Sequence, residues 1–287
     1  RGRKIHKMNK SIKKKDQAKE LLKSNQDIFK CPVCNGKMFV NDGYSLTCES
    51  NHSFDIAKKG YLNLLRSRSP LTYSKELFES RHIICESGFY DPLIEKLVGI
   101  IIDNSHGNIL DAGCGEGSHI ISIYKKISDN LTNYVGIDIS KDSINIASRN
   151  NAKIIWCVAD LAKLPFKNAS FDIILNILSP GNYSEFSRVI NNTGLIIKVA
   201  PASNYLIELR ERLYEGDASK YSNHQVIDNM SKKLNIKDIQ NLSYSFKLDR
   251  GLLKHLINMT PLTWGTSNER LNDLYRDNLS SITDDLS

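Results

Sequence analysis

The 287-residue sequence has no apolar run long enough to cross a lipid bilayer. Its longest apolar stretches, such as residues 97–102 and 195–200, are far shorter than the roughly 20 residues that a membrane-spanning helix needs. The N-terminal segment is basic and no apolar segment follows it, so the pattern of a secretory signal is missing. We therefore expect a cytoplasmic enzyme.

The sequence also lacks the even spacing of cysteines that marks a disulfide-stapled fold. Only six cysteines are present, and Cys31, Cys34 and Cys48 fall close together with a metal-like spacing. The other three are scattered among apolar neighbours: Cys85, Cys114 and Cys157. This distribution is typical of a protein from a reducing compartment.

Acidic residues are scarce at the start of the chain. Residues 1–23 hold ten Lys and Arg against Asp16 and Glu20, and the whole chain has a net charge of +7. Such a charge distribution favours a polyanionic partner such as RNA, although a basic tail can also serve only solubility. We interpret residues 1–28 as a basic flexible arm, in which residues 18–22 could begin a short amphipathic helix.

Four metal-ligating residues follow this arm with the spacing of a zinc finger. Cys31 and Cys34 form a Cys-x2-Cys knuckle, and after thirteen residues Cys48 and His52 form a second pair, with an Asn-Asp-Gly turn at 41–43 between them. Four N and S ligands satisfy tetrahedral zinc. Buried unliganded thiols are the alternative, but so short a segment would have a thin core without metal. We predict a structural zinc domain at 29–65.

The end of this domain combines aromatic and basic residues. Phe54 and Tyr61 flank Lys58 and Lys59, a mixture that can hold phosphates and stack on unpaired bases. The alternative is that the aromatic rings only fill the small core of the finger, and for Phe54 we prefer it.

From residue 108 onward, strand-like and helix-like segments alternate. We predict helices at 74–88 and 92–103, and then strands at 109–112, 133–138, 153–158, 171–177 and 194–200, separated by helices at 118–127, 141–149 and 182–190. This order predicts an α/β fold with a doubly wound parallel sheet, within a domain at 66–287. The region after residue 200 is more helical and polar, with one further strand expected at 243–248 and a helix at 251–259.

The first predicted strand runs into a glycine-spaced loop. Gly113, Gly115 and Gly117 permit positive φ and close approach of a ligand to the backbone, and a helix start follows at Ser118. A tight turn that binds nothing has the same pattern, so the neighbouring strands decide between the two.

Acidic residues close the first three predicted strands, and they identify the cofactor. Asp138 can accept the ribose hydroxyls of an adenosine, and Asp160 with the amide of Leu161 can contact an adenine ring. Asp111 and Glu116 complete an Asp-x-Gly-x-Gly-x-Gly form that favours S-adenosylmethionine over a dinucleotide.

On these residues the chain resembles the class I S-adenosylmethionine-dependent methyltransferases. Five segments narrow this resemblance to one family. They are the finger, His-Ser-Phe-Asp-Ile-Ala-Lys-Lys-Gly-Tyr-Leu-Asn-Leu at 52–64, Gly-Phe-Tyr-Asp-Pro-Leu at 88–93, Leu-Pro-Phe at 164–166 and Met-Thr-Pro-Leu-Thr-Trp at 259–264. Together they resemble the RlmA-type 23S rRNA guanine-N1 methyltransferases over residues 29–270.

The resemblance implies a reaction, partners and site residues. It implies methylation at N1 of a guanine in a domain II hairpin of 23S rRNA, near the macrolide-binding exit tunnel, by a homodimer. It implies structural zinc on Cys31, Cys34, Cys48 and His52, and S-adenosylmethionine as cofactor. The implied cofactor contacts are Tyr90, Gly115, Glu116 and Tyr205.

Four residues are candidates for the chemistry of the acceptor. Asn176 and Ser179 follow the fourth strand, where amino-directed methyltransferases hold their target nitrogen, but the segment departs from the Asn-Pro-Pro-Tyr pattern. Glu208 is a candidate base and also has the character of a surface carboxylate. Trp264 is a candidate stacking platform or a core residue. No general base is assigned.

Two other functions remain open at this point. A class I methyltransferase acting on a small molecule would have the same Leu-Pro-Phe segment but needs neither a finger nor a basic arm. An RNA-binding assembly protein with a vestigial cofactor fold would not need intact loop glycines and Asp138. Another RNA substrate is a further alternative.

Overall fold

The computed structural model describes residues 13–66, 73–104, 107–127, 132–150, 153–214, 216, 220–276 and 279–287. The helices in this part of the chain are α1 (Lys14–Ser24), α2 (Lys75–Glu86), α3 (Asp91–Asn104), α4 (Ser118–Ile127), α5 (Lys141–Asn150), α6 (Tyr183–Val189), α7 (Ile207–Leu213), α8 (His224–Ser231), α9 (Arg250–Met259) and α10 (Asn268–Arg276). The strands are β1 (Met38–Val40), β2 (Ser45–Cys48), β3 (Ser53–Asp55), β4 (Tyr61–Asn63), β5 (Asn108–Ala112), β6 (Asn133–Asp138), β7 (Ile154–Val158), β8 (Phe171–Ile177), β9 (Ile190–Val199), β10 (Leu242–Lys247) and β11 (Ser281–Leu286). None of the described helices is long and apolar enough to cross a membrane.

A six-stranded parallel sheet forms the centre of the molecule, with the order β4-β7-β6-β5-β8-β9. The inner strands are apolar along nearly their whole length, because helices cover both faces of a parallel sheet. Strand order reverses beside β5, so β5 and its loop lie at the switch point where such sheets bind ligands. The predicted doubly wound fold is confirmed, and its predicted strands lie within a few residues of the observed ones.

The predicted zinc domain forms a three-stranded antiparallel sheet of β1, β2 and β3. The next strand, β4, leaves this small sheet and pairs in parallel with β7, with Tyr61 opposite Trp156. The last strand of the 29–65 segment completes the edge of the central sheet.

A short segment of the central domain holds the zinc domain in place. The Phe29 and Phe166 rings have centroids 5.4 Å apart, and the backbone forms an isolated bridge at the same pair. The amide of Lys30 donates to the carbonyl of Pro165 at 3.1 Å, and the amide of Lys167 to that of Ile28 at 2.8 Å. The Leu-Pro-Phe segment thus attaches the zinc domain to the sheet.

The described part of the 1–28 segment contains a helix that includes residues 18–22, where the sequence allowed one. Residues 1–12 lie outside the described residues, but α1 follows directly, with Ala18 and Leu22 buried. These two apolar positions lie four apart on one helix face and pack on the zinc domain. The Tyr44 hydroxyl also donates to Asp16 Oδ1 at 2.6 Å, which fixes the helix to the turn before β2.

An antiparallel pair of strands closes the C-terminal region. The strand expected at 243–248 is β10, and its partner β11 was not predicted. Residues 281–286 contain Asp284 and Asp285, so they lack the apolar alternation of a typical strand. Both aspartates are buried, and Asp284 Oδ2 accepts a hydrogen bond from the Tyr244 hydroxyl at 2.5 Å.

Candidate functional site

The loop between β5 and α4 lies at the carboxyl edge of the central sheet. Gly113, Gly115 and Gly117 have φ values of 84°, 56° and 82°, in the left-handed region. The amides of Gly113 and Cys114 both donate to the carbonyl of Ile137 in β6, at 2.9 and 2.8 Å. The loop is therefore anchored to the neighbouring strand, and its shape requires glycine.

The three glycines have different surroundings. A Cβ atom at Gly113 would lie 2.0 Å from Ser179 Oγ, and one at Gly117 would lie 2.5 Å from Cη2 of Trp156. A Cβ at Gly115 would find its nearest heavy atoms at 3.9 Å, on Arg81 and Phe78 of α2. Gly113 and Gly117 thus permit close packing, whereas Gly115 faces more open space beneath α2.

Asp138 and Asp160 lie at the ends of neighbouring strands. Asp138 Oδ2 accepts the amide of Gly115 at 2.9 Å, and Oδ1 accepts the amide of Ser140 at 2.8 Å. The Asp160 side chain is exposed and accepts the amide of Ala162 at 2.8 Å. The carboxylate of Asp138 orients the glycine loop and keeps lone pairs for the two hydroxyls of a ribose.

Asp111 and Glu116 form a buried acidic pair at the loop. Asp111 is 1 % exposed, and neither of its carboxylate oxygens has a hydrogen-bond partner among the described residues. Burial raises its pKa to about 7, with Arg81 opposing the shift. Glu116 is paired with Arg81, at 3.3 Å from Nε to Oε2. When both carboxylates are ionised, Asp111 and Glu116 carry two negative charges against the one positive charge of Arg81, so the site can attract a cationic ligand.

These residues fit S-adenosylmethionine. The glycine loop offers bare backbone, Asp138 offers a ribose-binding carboxylate, and the orphaned oxygens of Asp111 offer acceptors for an ammonium group. When bound, the cofactor supplies a methyl group on a positively charged sulfur. The chain's residues would hold it by hydrogen bonds and by the negative charge of Asp111 and Glu116.

The Asp111 geometry predicts a pH dependence of cofactor affinity. With the pKa of Asp111 near 7 in the free protein, its carboxyl is mostly protonated at pH 6 and ionised at pH 8. A cationic ligand prefers the ionised form, so the Kd for S-adenosylmethionine should fall by about tenfold between pH 6 and pH 8. Isothermal titration calorimetry on wild type and Asp111→Asn measures this.

The asparagine variant serves as the control for that prediction. It should bind more weakly and lose most of the pH dependence; an unchanged slope would contradict the role of Asp111. The same raised pKa also lowers the stability of the free protein as pH rises from about 3.8 towards 7, because the folded state holds the proton more tightly than the unfolded chain.

Tyr90 and Tyr205 meet beside the acidic pair. Tyr90 is buried, and its ring packs edge-to-face on Phe89 and His119, with centroids 4.8 Å apart in each case. Burial raises the pKa of Tyr205, and a hydrogen bond with Tyr90 opposes that shift. Both hydroxyls therefore stay protonated and can donate hydrogen bonds. The hydrogen bond between Tyr90 and Tyr205 brings the two implied cofactor contacts together.

The segment after β8 lies directly against the glycine loop. Asn176 is fully buried, and its Nδ2 donates to the carbonyls of Ala112 at 2.7 Å and Pro180 at 3.1 Å. Its Oδ1 accepts from Lys198 Nζ at 2.7 Å. The amide of Asn176 is thus committed to backbone and to Lys198, whereas Ser179 lies at the loop surface, next to Gly113.

Glu208 and Trp264, the other two candidates for the chemistry, have opposite surroundings. The Glu208 carboxylate accepts the amide of Thr283 at 2.9 Å and its hydroxyl at 2.6 Å, so it holds α7 to β11. This arrangement does not favour Glu208 as a base. Trp264 is 55 % exposed, and its ring centroid lies 5.6 Å from that of Tyr73. Tyr73 in turn packs on Phe78, the α2 residue above Gly115.

The sequence analysis did not predict two charged residues that lie near the glycine loop, Arg81 and Lys198. Arg81 gives no sequence signal, because a helix with several charged residues does not indicate which one turns inward. Lys198 does give one, since it interrupts the apolar run Leu-Ile-Ile-Lys-Val of β9. A lone lysine in a strand of a covered sheet indicates a specific partner.

The four predicted zinc ligands converge on one point. Their ligand atoms all lie within 4.8 Å of one another, with Sγ of Cys34 and Cys48 3.7 Å apart and Sγ of Cys31 3.7 Å from Nδ1 of His52. Metal–sulfur distances of about 2.3 Å give tetrahedral edges near 3.8 Å. The cluster therefore fits a zinc ion with four protein ligands, which is a structural site.

Comparisons with known proteins agree with this geometry. Residues 109–194 match the model of a methyltransferase domain, and residues 29–69 match that of the N-terminal domain of RlmA. YxjB of Bacillus subtilis, provisionally named a 23S rRNA (guanine-N(1)-)-methyltransferase, is 38% identical over 267 residues, which cover 90% of this chain and 95% of that protein. The 23S rRNA (guanine(748)-N(1))-methyltransferase of Streptomyces fradiae is 26% identical over 242 residues, which cover 82% and 85% of the two chains.

The fold, the glycine loop and the matched domain define a class I S-adenosylmethionine-dependent methyltransferase that carries a zinc-binding domain. Within that class, the likeness to the Bacillus protein extends along nearly the whole of both chains. The chain belongs to the RlmA-type family of 23S rRNA guanine-N1 methyltransferases.

Proposed function

We propose that this chain transfers the methyl group of S-adenosylmethionine to N1 of a guanine in a hairpin of 23S rRNA domain II, near the macrolide-binding exit tunnel. The observation that carries this proposal is the attachment of an RlmA-type zinc domain to a cofactor-binding sheet through β4 and the Phe29–Phe166 contact. The Streptomyces relative, whose name specifies guanine 748, supports the choice of base and atom.

Methyl transfer to guanine N1 requires little covalent chemistry from the protein itself. Guanine N1 carries a proton at neutral pH, so the base must lose this proton to an acceptor as N1 takes up the methyl group that S-adenosylmethionine would supply. Alignment of N1 with the carbon–sulfur bond therefore supplies most of the rate, and the segment after β8 provides it.

Trp264 supports the proposal as a stacking platform for the target base. Base-modifying enzymes extrude their target and clamp it between rings. The row formed by Phe78, Tyr73 and the exposed Trp264 begins above Gly115, so an extruded base on Trp264 lies at the mouth of the cofactor site.

The stacking role predicts a kinetic defect. Trp264→Ala should lower kcat/KM for the RNA by about 10- to 100-fold, since one stacked base contributes roughly 1–3 kcal/mol. Trp264→Phe, which keeps a ring, should lose less. Steady-state methylation of a hairpin RNA measures both variants. Equal kcat/KM for wild type and the alanine variant would remove Trp264 from the binding of the base.

A cleft of about 500 Å³ lies beside the segment after β8 and has two lysines in its lining. It is bounded by Leu161, by the loop from Pro180 to Ser184, and by Lys232 and Lys233, which follow the last residue of α8. Both lysines are exposed and face the cleft, where they can contact phosphates that flank an extruded nucleotide. We also propose that the chain is a cytoplasmic protein, as a ribosomal RNA substrate suggests, and a homodimer, as the family resemblance implies; light scattering tests the dimer.

Primer extension tests the function directly. Methylation at N1 blocks Watson–Crick pairing, so reverse transcriptase should stop one nucleotide before the modified guanine after 23S rRNA is incubated with protein and S-adenosylmethionine. RNA incubated without cofactor is the control. Clean read-through would contradict the proposal, and read-through together with methyl transfer to a metabolite would favour the small-molecule alternative.

A further inference from the structure

Lys198 makes two directed contacts at the carboxyl edge of the sheet. It lies directly opposite Asn176 in the parallel pairing of β8 and β9. Its ammonium donates to Asn176 Oδ1 at 2.7 Å and to the carbonyl of Ser179. One side chain thus holds both the strand end and the loop that follows it.

The loop that Lys198 holds has an unfavourable bend. Leu178 has a φ of 49°, in the left-handed region that a branched side chain avoids. Such a conformation persists only where surrounding contacts fix it. Here the Leu178 amide donates to the carbonyl of Val199 at 3.0 Å, and Asn176 Nδ2 donates to the carbonyl of Pro180 at 3.1 Å. The contact from Lys198 to Ser179 is the only one of the three that involves a charge.

The bent loop contacts the cofactor loop. Asn176 Nδ2 also donates to the carbonyl of Ala112, the residue before Gly113. The Ser179 hydroxyl lies so close to Gly113 that a Cβ there would be 2.0 Å from Oγ. Asn176 and Ser179 therefore join residues 176–180 (the acceptor segment) to the glycine loop at 113–117 (the donor loop), and Lys198 contacts both Asn176 and Ser179.

We propose that Lys198 is a positioning residue for methyl transfer: it holds residues 178–180 against the cofactor loop and so sets the distance and angle between the methyl donor and the acceptor nitrogen. This inference rests on the proposed function. It assigns no contact between Lys198 and the substrate.

Holding a loop with a half-buried ammonium costs desolvation, and the structure gives a reason for this choice. Burial lowers the pKa of Lys198 to about 8, so a neutral side chain would suit this place better if packing were its only purpose. Charge-assisted hydrogen bonds to a carbonyl and an amide oxygen are stronger and more directional than neutral ones. They fix the two acceptors relative to each other, which apolar packing does not.

The experiment compares Lys198→Met with wild type by two independent readouts. Single-turnover methylation should fall by about 30- to 100-fold at saturating RNA and cofactor, because small misplacements of reacting groups cost this much. The Kd for S-adenosylmethionine should stay within threefold. Hydrogen–deuterium exchange of the free protein should rise at least about tenfold in peptides covering 176–183 and stay unchanged in peptides covering β5.

Control variants keep the result interpretable. Lys247→Met removes an exposed lysine from β10 and should match wild type in both readouts. Lys198→Gln replaces the methionine variant if that variant does not fold, and it should give a smaller change in the same direction.

A rate within twofold of wild type, unchanged exchange, or a parallel loss of cofactor affinity would overturn the positioning role. Because exchange needs no RNA, it tests Lys198 even if wild type fails to methylate the guanine. Such a failure would count against the proposed function alone.

Discussion

Replacing Gly113 by alanine should reduce methyl transfer by at least about 100-fold, because it pushes the acceptor segment away from the donor loop. The new Cβ would lie 2.0 Å from Oγ and 2.8 Å from Cβ of Ser179, and a Cβ atom does not tolerate non-bonded contacts this short. Rotation of the serine hydroxyl relieves only the first contact. The backbone of the loop or of the acceptor segment must therefore move.

Strain adds to this displacement. Gly113 has a φ of 84°, and a residue with a Cβ in the left-handed region costs roughly 1–2 kcal/mol. The amide of Gly113 also donates to Ile137, so a backbone shift weakens the anchor of the loop on β6. Cofactor affinity should consequently fall together with the rate.

The measurement is single-turnover methylation with calorimetric titration of S-adenosylmethionine. Gly216→Ala is the matched control: its φ is 58°, and nothing in the described part of the chain lies within 4 Å of the added Cβ. It should carry a similar backbone strain without the steric clash and keep near wild-type activity. A Gly113→Ala enzyme as active as this control would mean that the Ser179 contact is unimportant.

Much of the fold follows from patterns that are local in the sequence. The strands β5 to β8 are short apolar runs bounded by turns, and covered parallel strands require such runs. The zinc cluster was predictable for the same reason, since the spacing of its ligands is set by one knuckle and one hairpin. Both predictions needed no knowledge of distant contacts.

The features that sequence analysis missed depend on distant contacts. Strand β11 is held by its pairing with β10 and by the Tyr244–Asp284 hydrogen bond, not by an apolar pattern. Lys198 gained its role from Asn176 and Ser179, which lie about twenty residues earlier in the chain. Similarly, the sequence allowed a helix to begin at 18–22 but did not indicate that Ala18 and Leu22 would pack on the zinc domain.

Removal of zinc should give the second large effect, a loss of RNA affinity of at least about 100-fold, equivalent to roughly 2.7 kcal/mol. The Cys31, Cys34, Cys48 and His52 cluster fixes the last residue of β2, the turn that follows it and the Cys31–Cys34 knuckle. Binding of structural zinc contributes about 10–16 kcal/mol in finger peptides, far more than the small core of this domain can replace. Without metal the three-stranded sheet should lose its order, and with it the surface that carries Lys58 and Lys59.

Cofactor affinity should respond less, by under about tenfold, and the shared sheet explains why it should respond at all. Strand β4 pairs with β7, and β7 ends two residues before Asp160. The buried side chains of the zinc domain, among them Met38 and Leu46, also belong to one apolar cluster with Leu62, Cys157 and Phe166 of the central sheet. Disorder in the zinc domain should therefore loosen the adenine side of the site and leave the glycine loop intact.

Cys48→Ser and treatment with a chelator both test this, with filter binding for the RNA and calorimetry for S-adenosylmethionine. Readdition of zinc should restore RNA binding to the chelated protein but not to Cys48→Ser. Equal losses of RNA and cofactor affinity would show instead that the zinc domain mainly supports the catalytic sheet, since β4 and the Phe29–Phe166 contact would then transmit the whole effect.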